Sequence, residues 1–345
     1  TKILRKLSIL FLSLFFISAV FMLSSCNKKD DGKLPDIKSN VSDYVKSDAS
    51  GQKVTLKYFP KQGDKFKYKM TAKTFSTEKS PGTGNEEVAS EQSMTYYYNQ
   101  EVAEVSASGY ITFKMKYDSI IITEKITAKD SSISQTFNSN VKDSVSAKID
   151  FIQYNALAGQ EFKFRLSPKG EISEVIELEQ IHERIFKALG DTLKPDEKAK
   201  IKESMGSEAL KSIIQNQFQK FPDTDIYKDS SWTFDTETNL SVFPIKNILG
   251  YKLNNVNTDK NVIIDIIATL GIEFLSKEEK QQGMTIKLTN EEAGGSGTVN
   301  LDLSRGCVVR KETSTNINMG LKLSAQGQSA NSTQTLKTNL LVELL

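Results

Sequence analysis

The chain has 345 residues, with 45 Lys and Arg against 43 Asp and Glu, one His and two Cys. So balanced a charge argues against the basic face of a nucleic-acid binder, and this supply of His and Cys rules out a Cys/His metal site. Without residues 1–25 the 45 basic residues become 42 against 43 acidic ones, leaving about −1.

The amino-terminal segment has three parts. Lys2, Arg5 and Lys6 form a cationic start, Leu7 to Leu23 runs without a charge, and small residues lead into the polar stretch Asn27-Lys28-Lys29-Asp30-Asp31. This is the order of a secretory signal peptide over residues 1–25. A plain secretory peptide and an uncleaved span are the other readings, although the run is short for a span of about 20 residues.

Leu23-Ser24-Ser25-Cys26 resembles the lipobox of bacterial lipoproteins. The resemblance implies cleavage between Ser25 and Cys26 and acyl chains on Cys26 that hold the chain to a membrane, here the outer membrane of a Gram-negative bacterium. Each buried methylene contributes about 0.8 kcal/mol and one chain anchors only marginally, so two or three chains make attachment durable. Lys29-Asp30-Asp31 resembles an export signal that places lipoproteins on the cell surface; a solvated linker is the alternative.

Residues 26–52, rich in Lys, Asp, Ser and Gly, read as the acylated cysteine and a flexible tether. From 53 to 345 a single β-rich domain is expected. Apolar and polar residues alternate at Phe66, Tyr68 and Met70, at Ile111 to Tyr117, at Phe162 to Leu166, at Val299 to Leu303, at Ile317 to Leu323 and at Leu336 to Leu344. A period of two gives strands with one apolar face, as in antiparallel sheets. The period changes over 177–221. Leu178, Ile181, Ile185, Phe186 and Leu189 follow helical spacing, Pro195-Asp196-Glu197 opens a second helix, and the stripe changes phase at Gly206, with Ser207 the expected N-cap of a third. Ser80-Pro81-Gly82-Thr83-Gly84 and Gly294-Gly295-Ser296-Gly297 read as loops. The fold class is therefore α+β and β-rich, a curved antiparallel sheet or unclosed barrel with two or three helices across one side.

Gly63-Asp64-Lys65-Phe66-Lys67-Tyr68 is echoed by Gly159-Gln160-Glu161-Phe162-Lys163-Phe164, and Phe164 to Ile172 is echoed by Leu301 to Val308 as strand, turn and strand. With Phe221-Pro222 and Asp229-Ser230-Ser231-Trp232, these segments resemble a family of bacterial lipoproteins whose domain has no assigned function. The overall plan is similar to the periplasmic lipoprotein-carrier (LolA-like) architecture, which implies an apolar cavity for acyl chains between sheet and helices.

Few side chains suggest catalysis. His182 sits at the edge of a helical apolar face and reads as structural, and no Gly-x-Ser-x-Gly elbow occurs. Cys307, beside Val308 and Val309, reads as a small buried hydrophobe. The acidic pairs Asp30-Asp31, Glu86-Glu87, Glu278-Glu279 and Glu291-Glu292 read as solvent-facing rather than as glycosidase acids. Tyr96-Tyr97-Tyr98 is either core or an aromatic platform, and Trp232 is expected to anchor the second sheet segment. The expectation is a membrane-anchored, non-enzymatic protein with no cofactor, metal or nucleic acid. It binds an apolar ligand between sheet and helices, with Ile185, Ile213 and Phe218 bordering or filling that space; the alternative is a surface-displayed structural or interaction protein with a filled core.

Overall fold

The computed structural model describes residues 44–129, 131–146, 148–190, 193–281 and 283–345. In chain order the strands are β1 (Val45–Asp48), β2 (Gly51–Val54), β3 (Lys65–Lys79), β4 (Glu87–Val105), β5 (Ile111–Ala128), β6 (Ser131–Asn138), β7 (Glu161–Leu166), β8 (Ile172–Ile176) and β9 (Ile226–Tyr227). They continue as β10 (Ser231–Leu240), β11 (Phe243–Asn257), β12 (Ile263–Phe274), β13 (Glu278–Gln281), β14 (Met284–Asp302), β15 (Cys307–Ala325) and β16 (Gln328–Leu344). The helices are α1 (Ile152–Leu157), α2 (Glu179–Leu189), α3 (Pro195–Ser204) and α4 (Ser207–Gln215).

A 13-stranded antiparallel sheet runs β10-β11-β12-β14-β15-β16-β3-β4-β5-β7-β8, with β6 beside β5 and β13 beside β14. It does not close. The chain leaves one edge at β8 and re-enters at the other edge with β10, so α2, α3 and α4 lie in the segment that links the two edges. α4 packs on β8. The small sheet β1-β2-β9 joins this segment, and the Tyr58 amide donates to the Pro168 carbonyl at 2.8 Å. The folded part thus begins nearer the amino end than a tether over 26–52 allows. Tyr44 and Val54 are buried at the ends of an otherwise polar hairpin, whose strand pairing outweighs its composition.

The expected alternation sets the faces. Phe66, Tyr68, Met70, Phe113, Met115, Phe162, Phe164, Val299 and Leu301 are all buried in one large cluster. A second cluster lies at the far ends of the strands, from Phe243 and Ile245 on β11 through Ile286 and Leu288 on β14 to Ile317 and Met319 on β15. The two echoed motifs are structural. Gly63 and Gly159 both take positive φ, +87° and +76°, just before a strand, which an L side chain resists. Both later echoes form hairpins, β7–β8 and β14–β15.

Two local readings are corrected. Gly294-Gly295-Ser296-Gly297 is no loop but the middle of β14. A Cβ on Gly295 would meet the Ser314 carbonyl oxygen at 2.6 Å, and one on Gly297 the Glu312 carbonyl oxygen at 2.4 Å. Glycine in a strand interior marks such close backbone approach. The break between α3 and α4 falls at Gly206 as expected, but Gly206 is itself the N-cap, and the Ser207 hydroxyl instead accepts from the Val175 amide at 3.0 Å, fastening α4 to β8.

Candidate functional site

Small side chains hollow the inner face of the sheet. One cross-strand row reads Trp232, Tyr251, Ala268, Gly297, Thr313 and Leu340 from β10 to β16, and the next reads Phe234, Leu249, Leu270, Gly295, Thr315 and Thr338. Where Ala268 and Thr313 stand in place of large residues, the face is hollow. A cavity of about 50 Å3 lies there. Leu249, Tyr251, Ala268, Leu270 and Leu340 give it an apolar wall, and Gln215, Asn216 and Gln219 cover it from the end of α4 onward.

Lys311 also lines this cavity, and a bulge puts it there. Leu301 pairs with Val308 but Asn300 with Arg310, so β15 carries one extra residue. Without it Lys311 would point outward; with it Lys311 pairs with Val299 on the inner face, and bulges re-aim side chains in this way. Its ammonium donates to the Phe218 carbonyl at 3.1 Å. Lys311 as a residue is half-buried, but protein atoms crowd its amine, and desolvation pulls its pKa down to about 8. No carboxylate lies within ion-pair distance of it among the described residues.

The segment covering the cavity is itself held by buried amides. Gln215 accepts from the Ile172 amide at 2.9 Å and donates to the Gly170 carbonyl at 2.8 Å. Gln217 accepts from the Tyr98 hydroxyl at 2.9 Å and exchanges two bonds with Gln100, at 2.8 and 3.0 Å. The Gln219 amide donates to the Tyr58 hydroxyl at 2.8 Å. Deeper along the same sheet face, the hydroxyls of Thr315 and Thr338 are buried without a hydrogen-bond partner.

The residues singled out in the sequence are elsewhere. Ser25, Cys26, Lys29, Asp30 and Asp31 lie outside the described residues. Ile185 and Phe218 are buried, and Phe218 fills the space beneath the helices, its ring 5.5 Å from Tyr58, 6.1 Å from Phe113 and 5.8 Å from Phe164; Ile213 is half-buried beside this core. His182 is buried, with Nε2 3.2 Å from the Met205 carbonyl oxygen. Burial pushes the Cys307 thiol up to about 12, which makes it inert. Strand alternation turns both Tyr96 and Tyr98 inward, where Tyr98 stacks on Tyr68 at 5.6 Å, so these two are core; the bulge opposite them is Asp118 of β5. Trp232 opens β10 as expected, half-buried and 5.6 Å from Tyr251 of the cavity wall. Lys311 was missed, because only the paired register reveals the bulge.

Among the described residues no group of three or more His, Cys, Asp and Glu could hold a metal, and no helix is long and apolar enough to cross a membrane. Fold and cavity together define an unclosed antiparallel sheet with a hollow on its inner face, covered by the end of α4 and the turn that follows it. A family model described as a family of unknown function (DUF6263) matches residues 108–308, and the chain belongs to that family. No curated protein matches it. Among solved structures, lipovitellin, described for its lipid–protein interactions, is similar at 10% identity with a TM-score of 0.41 over 83% of this chain. The chain spans only 25% of that protein's length. OccK7 (OpdD) of Pseudomonas aeruginosa is similar at 6% identity and a TM-score of 0.20, covering 82% of this chain and 99% of its own. OccK11 (OpdR) of the same organism gives 6% and 0.18, covering 84% and 100%.

Proposed function

We propose that the protein is a non-enzymatic binding module that takes an apolar ligand between the inner face of β11, β12, β14, β15 and β16 and the covering segment that starts at Gln215. The observation that carries this reading is the cavity at Ala268 and Thr313, walled by Leu249, Leu270 and Leu340 in a face that is otherwise packed. The cavity, at about 50 Å3, is smaller than a whole small-molecule site. Such a volume takes only the end of an apolar chain, so the rest of a ligand lies outside it. The module is further proposed to be membrane-attached through acyl chains on Cys26, on the outer membrane of a Gram-negative bacterium, with Lys29-Asp30-Asp31 directing it to the surface; the order of the sequence features supports this.

The test is native mass spectrometry of the full chain after exposure to a bacterial lipid extract. A bound apolar species should be retained by the wild type and lost in Ala268→Phe, whose ring occupies the hollow. The second reading, an interaction protein with a filled core, is favoured by the aromatic packing of Phe218 against Tyr58, Phe113 and Phe164. It gains if neither protein retains a ligand.

A further inference from the structure

We infer that the ligand carries a single carboxylate and that the Lys311 ammonium receives it; this rests on the binding reading above. An ammonium has three donors, and the described structure gives that of Lys311 one acceptor, the Phe218 carbonyl oxygen. The neighbours that face it are neutral from every side. Val299 and Val342 flank it on β14 and β16, Leu249, Tyr251, Ala268 and Leu270 lie across the cavity, and Gln215, Asn216 and Gln219 cover it. Charged side chains next to it in sequence, Arg310 and Glu312, are bonded to each other and exposed on the opposite face.

An unpaired cation in such a place is costly unless something pairs it. A strut for one carbonyl would not need a charge. The cation at one end and the wall of Leu249, Leu270 and Leu340 at the other match an amphiphile with an acyl chain. The charge count sets the head group. One cation neutralises one carboxylate, whereas a phosphate, with about −1.5 to −2 charge, would leave an unmatched charge in a site without a second basic group. The lowered pKa of Lys311 fits the unliganded state, since a bound anion would favour the charged amine again.

The experiment titrates the full chain at pH 7 with dodecanoate, dodecanol and dodecyl phosphate, following binding by calorimetry. Wild type should take dodecanoate about tenfold or more tighter than dodecanol, the scale of one charge-assisted hydrogen bond. Lys311→Met should bind both at the strength of dodecanol, and Lys311→Arg should restore part of the preference, with melting curves confirming that both variants fold. Equal binding of dodecanoate and dodecanol by wild type, a preference that survives in Lys311→Met, or tighter binding of dodecyl phosphate would overturn the inference while leaving the binding reading in place. Absence of binding by all three probes would overturn both.

Discussion

The Lys311 ammonium of β15 donates to the carbonyl of Phe218, whose ring packs on Tyr58, Phe113 and Phe164, so one residue joins the cavity to the aromatic core. Cavity and core are adjacent but differ in kind: the core is filled, and the cavity is hollow because small residues line it.

Lys311→Met should change the pH dependence of stability. The folded pKa, about 8, lies below the ordinary 10.5, so the folded chain binds fewer protons between these values and wild-type stability rises with pH there. The penalty is fully present below about pH 8. Urea midpoints should therefore show the variant more stable than wild type at pH 7, by about 1–3 kcal/mol, and the gap should narrow by pH 9.5. A variant less stable at pH 7 would show that the bond to Phe218 outweighs desolvation.

Phe218→Ala should cost about 3–5 kcal/mol, as much as Phe162→Ala, since both rings are buried in one cluster. Ile213→Ala, at a half-buried position, should cost clearly less. A lid reading of 177–221 makes both helix-segment variants mild. Denaturant midpoints of the three variants decide between the two patterns.

Gly297→Ala places a Cβ 2.4 Å from the Glu312 carbonyl oxygen and 2.8 Å from Thr313 Cγ2, whereas a Cβ on Gly271 meets nothing closer than 3.7 Å. The first change should cost about 1–3 kcal/mol through backbone shift and the second should lie within about 0.5 kcal/mol. Thermal melts of the pair give the comparison, and equal melting temperatures would show that β14 can move away from β15.

Gln217→Leu removes the partner of both the Tyr98 hydroxyl and the Gln100 amide, all three being buried. Leaving buried donors unsatisfied costs about 1–3 kcal/mol each, so the variant should lose more stability than Tyr98→Phe, which leaves the Gln100–Gln217 pair intact. The two midpoints, measured in parallel, test this order.

Cys26→Ala should abolish incorporation of a fatty-acid analogue and release the protein from the membrane fraction. Continued labelling, with sedimentation like that of wild type, would end the anchor proposal.

The strands and helices were legible because their apolar periods survive in the sequence, from Phe66-Tyr68-Met70 to Ile181-Ile185. Legibility failed where backbone pairing decides. The hairpin β1–β2 has only Val54 buried between its strand ends, too little for a periodic signal. Gly294 to Gly297 have turn composition but lie inside β14, where a Cβ on Gly295 or Gly297 would meet the β15 backbone. The inward turn of Lys311 depends on a single extra residue opposite Asn300 and Leu301, visible only once both strands are in register.

The pairing of β16 with β3, Val342 opposite Met70, has a consequence for how the fold is reached. β3 leaves the ribosome well before β16, its neighbour on one edge and the last of the described strands in chain order. Until that strand arrives, the apolar row Phe66, Tyr68 and Met70 borders an unpaired edge, which invites association with other chains. Closure of so distant a contact is slow. Assembly at this edge therefore waits until the strands from β4 to β16 have been made.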